Sequence, residues 1–244
     1  MNILSIDTSG KTASCAVTNG HLTVGEFNIC PKAGYTHSEV LLPMIDGMFL
    51  NMGMDIGEMD YIACVNGPGS FTGLRIGASL AIGFSTGLSI PLVPVSTLDA
   101  MAYNIIGSDA DTYIVPMMDA RRSQIYTAIY HTKGCGPFPV RVTDYLALSV
   151  SELMHELGSY VNSTKGRAIF TGDGASEYMG LIGEEMINNN YEWGHVFAPQ
   201  NGNRQRAASA GVYAYQVIKS GTQVQPFALS YIRKPQAQRE LEGS

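Results

Sequence analysis

The sequence predicts an α/β protein of two lobes, with mixed sheets and flanking helices. Three observations indicate this fold. Strand and helix patterns follow one another in the order βββαβαβ over residues 1 to about 95. A glycine-rich loop at residues 67–77 separates a strand pattern from a helix pattern. Each half also opens with a strand, an aspartate, a turn and a second strand, with Asp7 and Asp119 in corresponding places. Such a repeat predicts a duplicated architecture.

The elements of the first lobe are predicted from short apolar runs that alternate with helical patterns. Strands are expected at residues 2–6, 13–18 and 21–28, and Asn19-Gly20 between the last two is typical of a hairpin turn. Helices are expected at residues 36–52 and 71–87, where the patterns are helical. Strands at residues 61–66 and 90–95 complete the lobe.

The second half gives fewer signals. Strands are predicted at residues 113–118, 124–130 and 167–171, and the last is followed by a tight turn at residues 172–175. The predicted lobes are residues 1–105 and 106–225, and residues 226–244 are a predicted tail. The segment after about Ala207 is expected to close back on the body of the protein.

Composition and charge argue against several classes of function. Charged residues make up 15% of the chain and the mean hydropathy is +0.04, so much of the chain is expected to be buried. The net charge is −6, so strong autonomous nucleic-acid binding is not expected. Cys15, Cys30, Cys64 and Cys135 form no C-x-x-C pair, which favours buried thiols in a reducing compartment. Neither a signal pattern nor a membrane-spanning apolar run is present, so a cytoplasmic protein is expected.

The glycine loop at residues 67–77 is the most informative motif. Its glycines allow backbone N–H groups to approach an anion or a packed neighbour closely. The spacing matches neither common phosphate loop, because no lysine follows it and Thr72 stands where the dinucleotide fingerprint requires glycine. The loop therefore predicts a specialised turn before a buried helix, without naming a ligand.

The two helices of the first lobe carry more apolar surface than one buried face requires. Apolar residues of the first helix spread over roughly 200°, whereas a surface helix needs an arc of about 100°. The second helix has Arg75 as its one charge between Ser70 and Ser89, and its small residues permit close helix packing. We expect both helices to pair with another protein or a second copy, unless the second lobe covers them. The expected interface residues are Val40, Leu41, Met44, Ile45, Met48, Met52, Leu74, Ala78 and Ala81.

Five segments resemble one known family in collinear order. Residues 2–9, 37–43, 67–77, 119–122 and 231–234 are similar to the TsaB (YeaZ) family, within the superfamily of actin, Hsp70 and sugar kinases. The resemblance implies an actin-like, ribonuclease H-like duplication. It also implies a non-catalytic subunit that binds and activates a TsaD-like transferase. That transferase forms N6-threonylcarbamoyladenosine at position 37 of tRNAs that read codons beginning with A.

The same resemblance implies partners and restricts the chemistry. A TsaE-like ATPase would join the larger complex, tRNA would be involved indirectly, and the chain alone would form a homodimer. Where TsaD carries a metal-binding His-x-x-x-His, this chain has Thr97 and Met101, which suit a hard ion poorly. Neither a catalytic residue, a metal site nor a required cofactor is therefore expected. The candidates for weak ATP, ADP or Mg contact are Asp7, Thr8, Ser9, Gly69, Arg75 and Asp119.

Two other functions stay open at this point. An independent ATP-dependent phosphotransferase of the same fold would use Asp7 to orient a magnesium-bound phosphate. Asp119 with Arg121 and Arg122 would then form a second phosphate turn, although a solvated hairpin tip explains that segment equally well. The other alternative is a structural protein that associates with itself.

Overall fold

The computed structural model describes residues 1–32, 35–106, 111–121, 123–132, 136–199 and 202–232. The chain forms two compact units. The first comprises Met1–Asn104 and Asn203–Leu229, and the second comprises Ile105–Gly202 with the described residues from Ser230 onwards. Residues 203–225, which the sequence placed in the second lobe, pack with the first unit. The reason is a helix at Ala207–Lys219, whose buried alanines lie against the first two strands.

Unit 1 is built on a five-stranded mixed sheet. Its strands are β1 (Asn2–Asp7), β2 (Ala13–Asn19), β3 (Leu22–Ile29), β4 (Tyr61–Gly67) and β5 (Leu92–Ser96), in the spatial order β3-β2-β1-β4-β5. The β1–β2–β3 neighbours are antiparallel, whereas β4 runs parallel to β1 and to β5. Gly20 takes a φ of 61° in the β2–β3 turn, which explains the glycine at that place. All five strands lie where the sequence predicts them, within one or two residues.

Helices cover both faces of this sheet. They are α1 (His37–Met52), α2 (Phe71–Leu88), α3 (Thr97–Ala102) and α7 (Ala207–Lys219), and a short 3-10 turn lies at Ile56–Glu58. Leu4 and Ile6 belong to the same apolar cluster as the buried side of α1, whereas Ile3 packs with the alanines of α7. Because successive strand residues point to opposite faces, the central strand is buried on both sides.

The ends of α1 and α7 are fixed by specific hydrogen bonds. The Glu39 carboxylate accepts from the Thr36 backbone N–H at 2.7 Å in a capping box, and α1 ends at Gly53 in the left-handed conformation. At the start of α7, the Glu26 carboxylate accepts from Ala208 N at 3.2 Å and from Arg206 Nε at 3.1 Å. A carboxylate at a helix N-terminus satisfies free N–H groups and favours the helix dipole.

Unit 2 contains a second mixed sheet, in the order β10-β7-β6-β11-β12, with β8 paired to β6 and β9 paired to β8. Its described strands are β6 (Thr112–Asp119), β7 (Gln124–Thr127), β8 (Tyr130–Thr132), β9 (Val140–Arg141), β10 (Leu146–Ser149), β11 (Arg167–Thr171) and β12 (Gly194–Phe197). The helices are α4 (Val150–Thr164), α5 (Asp173–Glu177) and α6 (Met179–Asn188). Their apolar faces form one core with β6 and β11.

One predicted strand of unit 2 is interrupted. The sequence predicts a single return strand at residues 124–130, but β7 ends at Thr127 and β8 begins at Tyr130. Both pieces pair with β6, on either side of Pro116. Proline has no N–H to donate to the ladder, so the pairing lapses there. No described helix combines the length and the apolar character that a membrane crossing requires.

Candidate functional site

Most of the residues predicted to contact a partner lie in the core of unit 1. Each of these side chains is at most 5% exposed: Leu41, Met44, Ile45, Met48, Leu74, Ala78 and Ala81. Only Leu41 among them lines an open groove, and the other six are enclosed. Val40 and Met52 are half-buried and pack against the same cluster. The helical wheel misassigned these residues because it gives the width of the apolar arc without showing which part faces the sheet.

A different apolar set is exposed on the same two helices. Leu42 on α1 is 51% exposed, and Phe71 and Ile82 on α2 are 45% and 48% exposed. Sequence reasoning missed all three as interface residues. At 100° per residue, Phe71, Arg75 and Ile82 of α2 lie within about 40° of one another, and this stripe was the signal that could have identified Phe71 and Ile82. The two helices therefore do present apolar surface, although not with the residues expected.

A groove of about 660 Å³ runs between α1 and α2. Its walls are Ser38, Leu41, Leu42, Phe71, Thr72, Arg75, Ile76, Ser79 and Leu80. Arg75 is the charged member of this set, and its guanidinium carbon lies 3.8 Å from the centre of the Phe71 ring. This distance is within the range of a cation–π contact. The groove is thus apolar, with a cation held at its surface.

The glycines of α2 divide the helix into a packed part and an open part. A Cβ atom added at Gly73 would collide with the Thr8 carbonyl oxygen, and one added at Gly77 with Thr8 Oγ1. A Cβ atom added at Gly83 or Gly87 would meet nothing within 4 Å. The N-terminal half of α2 therefore packs at backbone distance on the β1–β2 turn. The C-terminal half leaves room for another helix to approach closely.

The glycine loop covers the turn that follows β1. Ser70 N donates to the Ser9 carbonyl at 2.7 Å, and Thr8 Oγ1 donates to the Gly73 carbonyl at 2.8 Å. A Cβ atom at Gly69, where φ is +154°, would collide with the Ser9 carbonyl oxygen. The loop therefore packs directly on the turn. Its glycines allow contact with protein backbone, which was one of the two uses that the sequence left open.

Three of the residues predicted to contact nucleotide are enclosed in this structure. Asp7, Thr8 and Ser9 are each at most 1% exposed. Asp7 Oδ1 accepts from Ser9 N at 2.9 Å and from Ser9 Oγ at 2.6 Å, and Oδ2 has no hydrogen-bond partner within the described part of the chain. Burial raises the pKa of Asp7, and the hydrogen bonds from Ser9 oppose that shift. Asp7 is therefore not accessible to a ligand in this structure. Of the other predicted contacts in unit 1, Gly69 and Arg75 are exposed.

The corresponding turn of unit 2 is more open. Asp119 Oδ1 accepts from Arg121 N at 2.8 Å and from the Tyr178 hydroxyl at 3.0 Å, and Asp119 Oδ2 lies 3.7 Å from Arg121 Nε. Gly174 approaches the backbone of residues 117–119 closely, with 3.1 Å from its added Cβ to the Met117 carbonyl. Arg122, predicted to act with this turn, lies outside the described residues. Asp119 is therefore engaged in a local network, beside an exposed arginine.

The positions matched to the metal-binding histidines of TsaD are also enclosed. Thr97 and Met101 are buried in α3, and Thr97 Oγ1 donates to the Pro68 carbonyl at 2.6 Å. This bond ties α3 to the glycine loop. In the described residues, no group of three or more His, Cys, Asp or Glu side chains is placed to hold a metal ion.

Comparison with known proteins places the chain in a family. A family model for TsaD, described as tRNA N6-adenosine threonylcarbamoyltransferase, matches residues 29–239. The chain belongs to the TsaD family. Within this family it is 33% identical over 156 residues to the tRNA threonylcarbamoyladenosine biosynthesis protein TsaB of Escherichia coli K12. That alignment covers 64% of the chain and 65% of the relative, just under two thirds of the relative's length. The predicted resemblance to TsaB is confirmed.

Solved structures confirm the fold class of this TsaD-family chain. YeaZ from Pseudomonas aeruginosa superposes with a TM-score of 0.73 at 20% identity, over 93% of the chain and 99% of that protein. A ROK hexokinase from Thermus thermophilus gives a TM-score of 0.50 at 12% identity, over 91% of the chain and 100% of the hexokinase. At these identities the likeness shows the fold alone. The predicted actin-like α/β class is confirmed.

Proposed function

We propose that this chain is a non-catalytic subunit that binds and activates a TsaD-like transferase. The transferase forms N6-threonylcarbamoyladenosine at position 37 of tRNAs that read codons beginning with A. Membership of the TsaD family supports a paralogue as the partner. The name of the E. coli relative supports the pathway, since it is a tRNA threonylcarbamoyladenosine biosynthesis protein.

The observation that carries the proposal is the exposed apolar surface of α1 and α2. Leu42, Phe71 and Ile82 place large apolar side chains in solvent beside an apolar groove. Exposed apolar patches of this kind mark protein-binding surfaces, and aromatic anchors in grooves often supply most of the binding energy. Two neighbouring helices with an open glycine face are suited to a pair of partner helices, which would bury the groove in a four-helix arrangement.

The residues at the expected metal and phosphate positions favour a non-catalytic subunit over a phosphotransferase. Thr97 and Met101 stand where TsaD carries its metal-binding histidines, and both are buried. Asp7, which a phosphotransferase would need at the phosphate, is fully buried. In the proposal, binding of this chain shifts its partner towards a competent conformation. The chain itself supplies neither nucleophile, base nor metal.

The proposal extends to the other members of the complex. The chain requires no cofactor of its own, and weak ATP or ADP contact stays a prediction. A TsaE-like ATPase and tRNA would join through the assembled complex in the cytoplasm. Without its partner the chain would form a homodimer through the same two helices, because the apolar surface is then left uncovered.

A matched pair of variants tests the proposal. Ile82→Glu places a charge on the exposed stripe of α2, and Ile187→Glu makes the same change at an exposed position on α6 of unit 2. We expect Ile82→Glu to prevent co-purification with the TsaD-like protein and to abolish threonylcarbamoylation in a reconstituted mixture. Ile187→Glu should behave as wild type in both assays. Full modification activity of the mixture when this chain is omitted would refute the proposal.

A further inference from the structure

Arg75 is the charged residue of the groove between α1 and α2, and the described residues leave it without an ion pair. We propose that Arg75 recognises a carboxylate on the partner helix that fills this groove, and so determines which partner is accepted. The inference rests on the proposed function, because it concerns the same surface. It adds the chemistry that the partner must present.

The position of the guanidinium group supports this assignment. Its central carbon lies 3.8 Å from the centroid of the Phe71 ring, so the cation is held at the groove instead of extending freely into solvent. Stacking uses the flat face of a guanidinium group and leaves its N–H edge available to a carboxylate. The neighbouring walls, Leu42, Ile76 and Leu80, are apolar and supply no anion.

Covering the groove makes the partner's charge important. A helix that packs on Leu42 and Phe71 would displace water from Arg75. A cation that loses its water without gaining an anion opposes association, whereas a carboxylate in paired geometry restores the lost hydrogen bonds. The preferred occupant is therefore an amphipathic helix with apolar residues for the groove and one acidic residue opposite Arg75.

The α1 and α2 helices of a second copy offer few carboxylates that could pair with Arg75. Glu39 and Asp46 are the acidic residues of α1, and α2 contains none. The Glu39 carboxylate is already engaged in the capping box with Thr36. Asp46 is exposed, but it does not line the groove. The charge pattern therefore favours a different protein over self-association.

Isothermal titration of the TsaD-like subunit into this chain tests the inference. We expect Arg75→Met to weaken binding at least about tenfold, because the partner's carboxylate is then left unpaired, and Arg75→Glu to weaken it about a hundredfold. Arg141→Met is the matched control, since the Arg141 guanidinium carbon lies 4.0 Å over the Tyr145 ring in unit 2. It should bind as wild type. Replacement of the partner's acidic residue by lysine should raise the affinity for Arg75→Glu at least about tenfold.

The outcomes separate this inference from the proposed function. If Ile82→Glu abolishes binding but Arg75→Met binds as tightly as wild type, Arg75 has no carboxylate partner and this inference alone is refuted. If neither variant alters binding, the proposed docking surface fails as well. If ATP with magnesium tightens wild-type binding and Arg75→Met removes that gain, the anion is a phosphate and the carboxylate assignment is wrong. If Asp46→Asn weakens the homodimer as much as Arg75→Met does and the heterodimer is unaffected by either, the second copy is the occupant instead.

Discussion

Replacement by alanine should change the stability of the chain in opposite directions at two glycines of α2. Gly83→Ala should stabilise the isolated chain, because alanine is favoured over glycine in a helix by about 0.8–1.0 kcal/mol. Its new Cβ would meet no atom within 4 Å. For a chain of this size the gain corresponds to a rise in melting temperature of about 2–4 °C.

Gly77→Ala should destabilise the chain despite the same gain in helix propensity. Its Cβ would collide with Thr8 Oγ1 and lie 3.4 Å from Ile6 Cγ2. Overpacking of this kind costs about 1–3 kcal/mol. The Thr8 hydrogen bond to the Gly73 carbonyl, 2.8 Å long, is worth about 1 kcal/mol more. The net loss is therefore about 1–3 kcal/mol after the gain in propensity is subtracted.

Urea denaturation followed by circular dichroism measures both stabilities, at a chain concentration where the protein is monomeric. Titration of the TsaD-like subunit then separates stability from docking. Gly83→Leu should keep the stability of Gly83→Ala but weaken association at least about tenfold, or 1.4 kcal/mol, because its side chain occupies the space left for a partner helix. Equal destabilisation by Gly83→Ala and Gly77→Ala would refute the reasoning, as would undiminished binding by Gly83→Leu.

Three further predictions follow from buried charged or titratable groups. Burial raises the pKa of Asp7, so the folded chain holds this proton more tightly than the unfolded chain. The free energy of unfolding should therefore fall as pH rises from about 3.8 towards the native pKa. Asp7→Asn should remove this pH dependence in urea titrations. Glu26→Gln should cost about 1–3 kcal/mol in the same assay, because the charge-assisted bonds at the start of α7 are lost, and adding Arg206→Met should recover part of that loss. Burial raises the pKa of the Cys64 thiol, so peptide mapping should show alkylation of Cys64 at pH 8 only after unfolding, whereas the exposed Cys30 reacts in the native chain.

The strands of the first unit could be predicted well from the sequence because their signals are local. Asn19 and Gly20 specify a hairpin, and short apolar runs that end at Asp7 or at the glycine loop read as buried strands. The interruption near Pro116 was missed, because its effect depends on which strand lies opposite. The placement of residues 203–225 was missed for a similar reason. Alanine-rich helices such as α7 can pack closely on either sheet, and the sequence does not show which of the two sheets α7 covers.

The candidate site could be predicted only at the level of elements. Both helices that carry exposed apolar side chains were named in advance, but Met48 and Leu74 were assigned to the interface although they are fully buried. A wide apolar arc fixes how much surface a helix carries, whereas the orientation of that arc depends on packing against the sheet. Phe71 was placed at the start of the second helix but was not assigned to the interface, because the sequence does not show which side of that helix meets solvent. The contact between the Asp7 turn and the glycine loop was equally hidden, since it joins segments about sixty residues apart.

The glycine loop connects the enclosed aspartate with the exposed helices. Gly69 and Gly73 let the loop pack against the backbone of Ser9 and Thr8, next to the buried Asp7. The same contact fixes the first turn of α2, because Thr8 bonds to the Gly73 carbonyl. A helix fixed at its N-terminal half holds Arg75 and Ile82 in one orientation, so less conformational freedom would be lost in the proposed complex. The loop contact that anchors this turn therefore also orients the proposed docking surface.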